Sequence, residues 1–286
     1  MNSVIRFFDD IDSIIRSDYT TSEKLTLLQN LLTLVLRFIF IGPKSRRSTK
    51  TLRLLGFQLE SANCASFLFM FEEIFVRLAY KFDSADVSPL IIDCGSNIGV
   101  SLAYFKSAYP CSRIIAFEPD PTVFAMLKRN VERNTMDNVV LHDEALHNLR
   151  GEIDFYRDPR DIGSGIISST VRKRVPLVQR IRVQAALLSE YVSGTVDFLK
   201  LDVEGAEEGV LRDLHNHGKL RLIKEMAIEY HQHIDPDTDD LSSTLLLLEE
   251  DGFGYQLEAK RVPANRGFQD VLIRAYNKSM IPHTTG

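Results

Sequence analysis

The pattern of hydrophobic and polar residues changes near residue 89. Beyond it, short apolar runs alternate with amphipathic stretches of helical length. The runs predict five parallel strands, at residues 90–93, 113–117, 138–146, 196–201 and 222–229. Helices are predicted between them at 98–108 and 121–134. Strands that alternate with helices form right-handed β-α-β units, so the chain is predicted to have an α/β fold with a doubly wound, Rossmann-like, mostly parallel sheet.

The last two apolar segments differ from this pattern. Residues 254–260 and 270–276 read as two strands that are separated by a turn-rich loop. An antiparallel pair at one edge of the parallel sheet accounts for them.

The first 85 residues read as helical and predict an N-terminal helical extension (1–85) before the main domain (86–286). Thr20 and Glu23 have the spacing of a capping box in front of an apolar run. Gly42-Pro43 is predicted to end that helix. Residues 66–80 predict a second, amphipathic or buried helix.

The apolar run at 25–41 is followed by a basic run of four residues: Lys44, Arg46, Arg47 and Lys50. A spanning helix is disfavoured because Arg37 would be costly inside a bilayer. A buried helix, or one that covers a partner, is favoured. A peripheral membrane contact through residues 25–50 and a homo-oligomer interface are the alternatives.

Composition narrows the class of protein. The 286 residues are 44% hydrophobic and 26% charged, which is ordinary for a globular chain. The formal net charge of −5 argues against nucleic acid as the partner. Cys64, Cys94 and Cys111 form no metal-binding motif, and the first 30 residues lack a signal-peptide layout. A cytoplasmic location is therefore expected.

A glycine-containing turn follows the first predicted strand, in the sequence IIDCGSNIG at 91–99. Asp93 ends the strand, and Gly95 and Gly99 permit a tight turn with close approach of a ligand. Their spacing is GxxxG with Asn97 between them, whereas a dinucleotide fingerprint is GxGxxG. A nicotinamide cofactor is disfavoured, although a turn of this kind can also be purely structural.

An acidic residue ends each of the next two predicted strands. Glu118 lies about 20 residues after the glycine turn, where a carboxylate can accept hydrogen bonds from both ribose hydroxyls of a ligand. Asp120 is better placed than Glu118 to cap the following helix. At the third strand, Asp143 or Glu144 could accept a bond from an adenine amino group, and a solvated loop acid is an equal alternative.

Charged residues continue through the end of the fourth strand and recur at the end of the fifth. Lys200, Asp202 and Glu204 alternate along one side of the segment 197–207. Glu229 and His231 end the next strand, beside Asp202, and His231 is a candidate general base. Asp202, Glu229 and His231 could also bind a divalent metal. Such clusters are common without a metal, so a metal-free site is expected.

These motifs together resemble the FkbM-type methyltransferase family. The matching segments are IIDCGSNIG, AFEPDP, LKLDVEGAE and EYH, in the order of the family. Residues 72–82 and the small-residue loop at 163–169 are also similar. The resemblance extends over about residues 66–276, so the first 60 residues fall outside it.

The resemblance implies a class I methyltransferase sheet that binds S-adenosyl-L-methionine. Asp93, Gly95, Asn97 and Gly99 would lie under its methionine part, and Glu118 would hold its ribose. The family's reactions are O-methylations of sugars, polyketides and related metabolites. The acceptor is therefore expected to be a hydroxyl of a small molecule or sugar.

The expected roles at the reacting end follow from this chemistry. Asp202 or His231 would take the proton of the hydroxyl, Glu229 would orient the acceptor, and Lys200 would keep Asp202 ionised. The loop at 163–169, followed by Arg172, Lys173 and Arg174, is either a lid or a flexible connection. Two alternative functions remain: a nucleotide- or dinucleotide-dependent enzyme on the same sheet, and a non-catalytic cofactor-binding module.

Overall fold

The computed structural model describes residues 3–40, 50–158, 168–170, 179–232, 241–259 and 269–281. The predicted helix end at Gly42-Pro43, most of the basic run at 44–50 and most of the small-residue loop at 163–169 lie outside these residues. So does the basic segment 172–174 that follows the loop.

The described segments form seven α-helices and thirteen strands. The helices are α1 (Ser3–Arg16), α2 (Thr21–Phe40), α3 (Cys64–Phe71), α4 (Val100–Ala108), α5 (Pro121–Arg133), α6 (Glu207–Asn216) and α7 (Leu241–Glu250). The strands are β1 (Lys50–Leu54), β2 (Phe57–Ser61), β3 (Leu90–Cys94), β4 (Arg113–Phe117), β5 (Val139–His142), β6 (Ala145–Leu146), β7 (Gly151–Arg157), β8 (Ser168–Ser169), β9 (Gln179–Ala186), β10 (Val196–Leu201), β11 (Ile223–Gln232), β12 (Phe253–Ala259) and β13 (Gln269–Asn277). A π-helical turn (Glu72–Val76) continues α3.

The main sheet has seven strands in the order β12-β13-β11-β10-β3-β4-β5. The central strand β10 pairs in parallel with β3 and with β11, and all six of its residues are buried. β13 runs antiparallel to both of its neighbours, β11 and β12. The predicted doubly wound, mostly parallel sheet with an antiparallel strand near one edge is confirmed.

A second, four-stranded sheet in the order β6-β9-β7-β8 was not predicted. The single strand expected at 138–146 is wrong, because β5 belongs to the main sheet and β6 to the second one. The chain changes sheets at Asp143 and Glu144, where no glycine or proline signals a break. Charged and apolar residues alternate in β7 and β9, and their inward residues pack in a small core with Ala145.

The N-terminal region is not entirely helical as predicted, because β1 and β2 form a hairpin. Its turn is made by Leu55 and Gly56, both with positive φ. The hairpin rests on α5, where Asn130 Oδ1 accepts the amide of Glu60 at 2.6 Å and Asn134 Oδ1 accepts the amide of Gln58 at 2.7 Å. These contacts span more than 65 residues of sequence, so local periodicity could not reveal them.

The N-terminal helices share one hydrophobic core with the main sheet. The predicted capping box of α2 is present, because the amide of Thr20 donates to Glu23 Oε2 at 2.8 Å and the amide of Glu23 donates back to Thr20 Oγ1. Leu27 of α2 is fully buried in the same cluster as Ile91 of β3 and Ile114 of β4. Among the described helices, none combines the length and apolar character needed to cross a membrane.

Candidate active site

A cavity of about 810 Å³ opens at the carboxyl ends of β3, β4, β10 and β11. Parallel sheets bind ligands at this edge because the strand-to-helix loops converge there. The opposite wall comes from α3, the π-helical turn and the residues just after it. The tail strands β12 and β13 contribute a third wall.

The turn after β3 brings the backbone close to the end of β10. Gly95 has a φ of +87°, and a Cβ atom at this position would lie 1.8 Å from the carbonyl oxygen of Asp202. Only glycine is compatible with that approach. Asn97 also has a positive φ, and the amide of Ser96 donates to the carbonyl of Phe117 at 2.8 Å. Gly95 and Asn97 line the cavity, whereas Gly99 forms the N-terminus of α4 behind it.

Glu118 lies on the cavity wall at the end of β4. Its carboxylate accepts the amide of Asn97 at 3.0 Å and the amide of Asp120 at 2.9 Å. Burial raises the pKa of Glu118 to about 8, although these amide bonds oppose the rise. Asp120 caps α5 through the amides of Thr122 and Val123, as the sequence predicts.

Lys200 is the buried cation of the site. Its Nζ lies 3.4 Å from Asp93 Oδ1 and 3.3 Å from Asp202 Oδ2, and it donates to the carbonyl of Gly95 at 2.7 Å. Burial alone would lower the pKa of Lys200, but the carboxylates of Asp202 and Asp93 outweigh this effect and raise it. Asp93 itself is fully buried behind the cavity and accepts the Ser101 hydroxyl at 2.5 Å. The expected pairing of Lys200 with Asp202 is therefore present.

Glu229 lies in β11, three residues before the strand ends, and accepts a hydrogen bond from the hydroxyl of Tyr80. Burial raises the pKa of Glu229 well above its ordinary value, and the neighbouring acids Asp202 and Glu73 raise it further. Tyr80 follows the π-helical turn, so this hydrogen bond joins that wall of the cavity to β11. Lys200 Nζ lies 5.3 Å from the centre of the Tyr80 ring.

His231 is buried, and its ring is oriented by Glu207 at the start of α6. Nδ1 lies 2.8 Å from Glu207 Oε1, while Nε2 points toward Glu204 Oε2 at 3.4 Å. Burial alone would lower the pKa of His231, but the acids Glu204 and Glu207 raise it well above the usual range. The four predicted catalytic residues, Lys200, Asp202, Glu229 and His231, all line the one cavity.

Of the two acidic residues that follow β5, only one faces the cavity. Glu144 lines the cavity and accepts the hydroxyl of Tyr191 at 2.6 Å. Asp143 is exposed and is not among the described lining residues. Adjacent residues of an extended chain point to opposite sides, so only one of the pair faces the cavity.

Several residues of the site were not recognised from the sequence. Glu73, Arg77 and Tyr80 reach the cavity from the N-terminal wall, and their long sequence separation from β11 concealed them. Glu207 precedes His231 by 24 residues, and no sequence pattern connects the two. Its carboxylate accepts the amide of Gly205 as well as facing His231, which shows that it also orients the histidine.

Comparisons with known proteins identify the family of this chain. The model of the FkbM methyltransferase domain matches residues 93–257. Methyltransferase 1 of Beauveria bassiana (strain ARSEF 2860) is 28% identical over 66% of this chain and 82% of its own length. The 31-O-demethyl-FK506 methyltransferase FkbM of Streptomyces tacrolimicus is 25% identical over 76% of this chain and 93% of its own length.

A crystal structure of methyltransferase FkbM from Methylobacillus flagellatus KT also matches. It is 17% identical, with a TM-score of 0.46 over 96% of this chain and 60% of that chain. The family match covers more than half of the present sequence. This chain belongs to the FkbM methyltransferase domain family and is a methyltransferase.

Proposed function

We propose that this protein transfers a methyl group from S-adenosyl-L-methionine to a hydroxyl of a small molecule or sugar. The observation that carries the proposal is the single cavity in which Glu118, the glycine turn and the Lys200–Asp202–Glu229–His231 cluster meet. The matched FkbM protein of Streptomyces tacrolimicus is named as an O-methylating enzyme, which supports the same acceptor chemistry.

The donors and acceptors of the cavity fit an adenosyl ligand. Glu118 presents a buried carboxylate to the cavity, which suits the two hydroxyl donors of a ribose. The described lining residues include eight carboxylate residues and three lysine or arginine residues. This excess of negative charge opposes the diphosphate of a dinucleotide, whereas it favours a sulfonium cation.

The residues of the chain then have distinct tasks. When bound, the cofactor supplies an electrophilic methyl group whose bond to sulfur breaks, with its electron pair left on sulfur, as the new oxygen–carbon bond forms. Asp202, or His231 once it has lost its own proton, takes the proton of the acceptor hydroxyl and later returns it to solvent. Glu229, held by Tyr80, orients the acceptor. Positioning of this kind lowers barriers by about 7–11 kcal/mol in well-oriented systems.

Calorimetric titration with S-adenosylmethionine, S-adenosylhomocysteine and NAD tests the cofactor. We expect micromolar binding of the adenosyl ligands, weakened roughly 10- to 100-fold in Glu118→Ala because the hydrogen-bond partner of the ribose hydroxyls is lost. Glu144→Gln should weaken binding to a smaller extent. Asp143→Asn is the matched control and should bind as the wild type does. Tighter binding of NAD than of the adenosyl ligands would refute the proposal.

The catalytic assignment is tested by following S-adenosylhomocysteine formation against a panel of sugars and polyols. Loss of the general base should lower kcat by about 100- to 10,000-fold. Asp202→Asn and His231→Ala distinguish the two candidates, and Glu258→Gln, on the same cavity, is the control. If both variants kept turnover within a few-fold of wild type, neither residue would be the base.

A further inference from the structure

Three potential metal ligands meet at the ends of two neighbouring strands in the cavity. Asp202, Glu229 and His231 each offer one ligand atom, and these atoms all lie within 4.8 Å of one another. The parallel register of β10 and β11 produces this arrangement, because Leu201 lies opposite Ile228. Two carboxylates and one imidazole are a ligand set typical of first-row divalent cations.

Each of the three side chains is held by a partner outside the cluster. Glu207 contacts His231 Nδ1 at 2.8 Å, and Lys200 contacts Asp202 Oδ2 at 3.3 Å. The Tyr80 hydroxyl bonds to Glu229 Oε1. Partners of this kind orient the ligands of metal sites, and a histidine ligand characteristically bonds to a carboxylate through its other ring nitrogen. Because every ligand has such a partner, the three side chains are held in place, unlike a chance group of surface acids.

Three carboxylate oxygens surround the ring nitrogen of His231 that Glu207 leaves free. His231 Nε2 lies 3.9 Å from Asp202 Oδ1, 3.4 Å from Glu204 Oε2 and 3.9 Å from Asp270 Oδ1. Lys200 contacts Oδ2 of Asp202, whereas Oδ1 faces the histidine. Distances of about 3 to 4.5 Å between ligand atoms are those found around one ion with bonds of roughly 2.1 to 2.3 Å.

We infer that Asp202, Glu229 and His231 bind one divalent cation of the Mn²⁺ or Mg²⁺ type. This proposal departs from the metal-free site expected from the sequence. The role of the cation, though not its binding, rests on the proposed function. A cation in this position would act as a Lewis acid on the acceptor hydroxyl, and the proton would leave for Asp202 rather than for His231, whose free ring nitrogen the cation would occupy.

Mn²⁺ binding to the full chain, measured by electron paramagnetic resonance after treatment with a chelator, tests the site. We expect one Mn²⁺ per chain with a dissociation constant below 1 mM. Affinity should fall at least 10-fold in Asp202→Asn and in Glu229→Gln. Glu258→Gln, an exposed carboxylate on the same cavity, should bind within two-fold of wild type. Equal losses in all three variants would show only diffuse attraction and would overturn the proposal.

Pulsed measurements on the wild-type protein avoid any dependence on variant folding. Coordination by His231 should give a ¹⁴N modulation from the imidazole, and it should vanish in His231→Gln. Absence of binding up to 1 mM, or bound Mn²⁺ without nitrogen coupling, would refute the site. Titration with S-adenosylmethionine is a separate measurement, so failure of cofactor binding would count against the proposed function and leave the cation site standing.

Discussion

At the scale of single residues, Glu118 makes the stability of the fold depend on pH. Its pKa is about 8 in the folded protein because the carboxyl group is buried, against an ordinary value of 4.5. The folded state therefore keeps a proton that the unfolded state loses between these two values. Folding stability contributed by this group is present below pH 4.5 and decreases as the pH rises toward 8.

We predict that Glu118→Gln removes this dependence. Between pH 5 and pH 8 the free energy of unfolding of wild type should fall relative to that of the variant by about 2–4 kcal/mol. Urea denaturation at both pH values measures the difference. A constant offset between the two proteins would mean that Glu118 titrates at its ordinary pKa. Asp143→Asn, an exposed acid nearby, should show no such change.

At the scale of elements, ion pairs connect α1 to the π-helical turn that forms part of one wall of the cavity. Arg6 bonds to the buried carboxylate of Glu72 at the start of the turn, and Arg77 after its end lies 3.9 Å from Asp10. Burial raises the pKa of Glu72, which shows that its charged form depends on these partners. The same turn places Glu73 at the cavity, so α1 supports this wall of the cavity.

We predict that Arg6→Met destabilises the protein by roughly 1–3 kcal/mol, since it leaves the Glu72 carboxylate buried without its guanidinium partner. This figure is at the low end for a buried pair because Arg6 is 37% exposed. The double variant Arg6→Met/Glu72→Met should regain most of the loss, because both charges are then removed. Urea unfolding measures both. A double variant less stable than the single one would contradict this explanation.

At the scale of the whole molecule, the N-terminal helices and the main sheet are expected to unfold together. Leu27 of α2 is fully buried in the hydrophobic cluster that also contains Phe67 of α3 and Ile91 of β3. Elements that pack around one hydrophobic core are expected to unfold cooperatively. The division into an extension (1–85) and a main domain (86–286) remains a prediction about sequence organisation.

We predict that Leu27→Ala costs about 2–5 kcal/mol, as a cavity in a packed core does. Calorimetry should show that the whole protein still unfolds in one transition at a lower temperature. Leu32→Ala on the same helix is the control, because Leu32 is 49% exposed and its loss should cost under roughly 0.5 kcal/mol. Two separate transitions would instead show that the extension is an independent domain.

Features that depend on neighbouring residues could be predicted from the sequence. The alternation of strands and helices, the capping box of Thr20 and Glu23, and the cap of α5 at Asp120 all arise from local periodicity or local hydrogen bonds. The shared location of the candidate catalytic residues was also predictable, because parallel strands end at one edge of a sheet. Lys200 and His231 accordingly both line the cavity.

Contacts between distant segments depend on the tertiary structure and could not be predicted. The hairpin of β1 and β2 rests on α5, and the chain leaves the main sheet after β5, without local signals that distinguish these arrangements. The choice of Glu144 over Asp143 at the cavity depends on the direction in which the strand leaves the sheet. Tyr80 meets Glu229 across 149 residues. Such pairings depend on the packing of the whole chain, and periodicity within one segment carries no information about them.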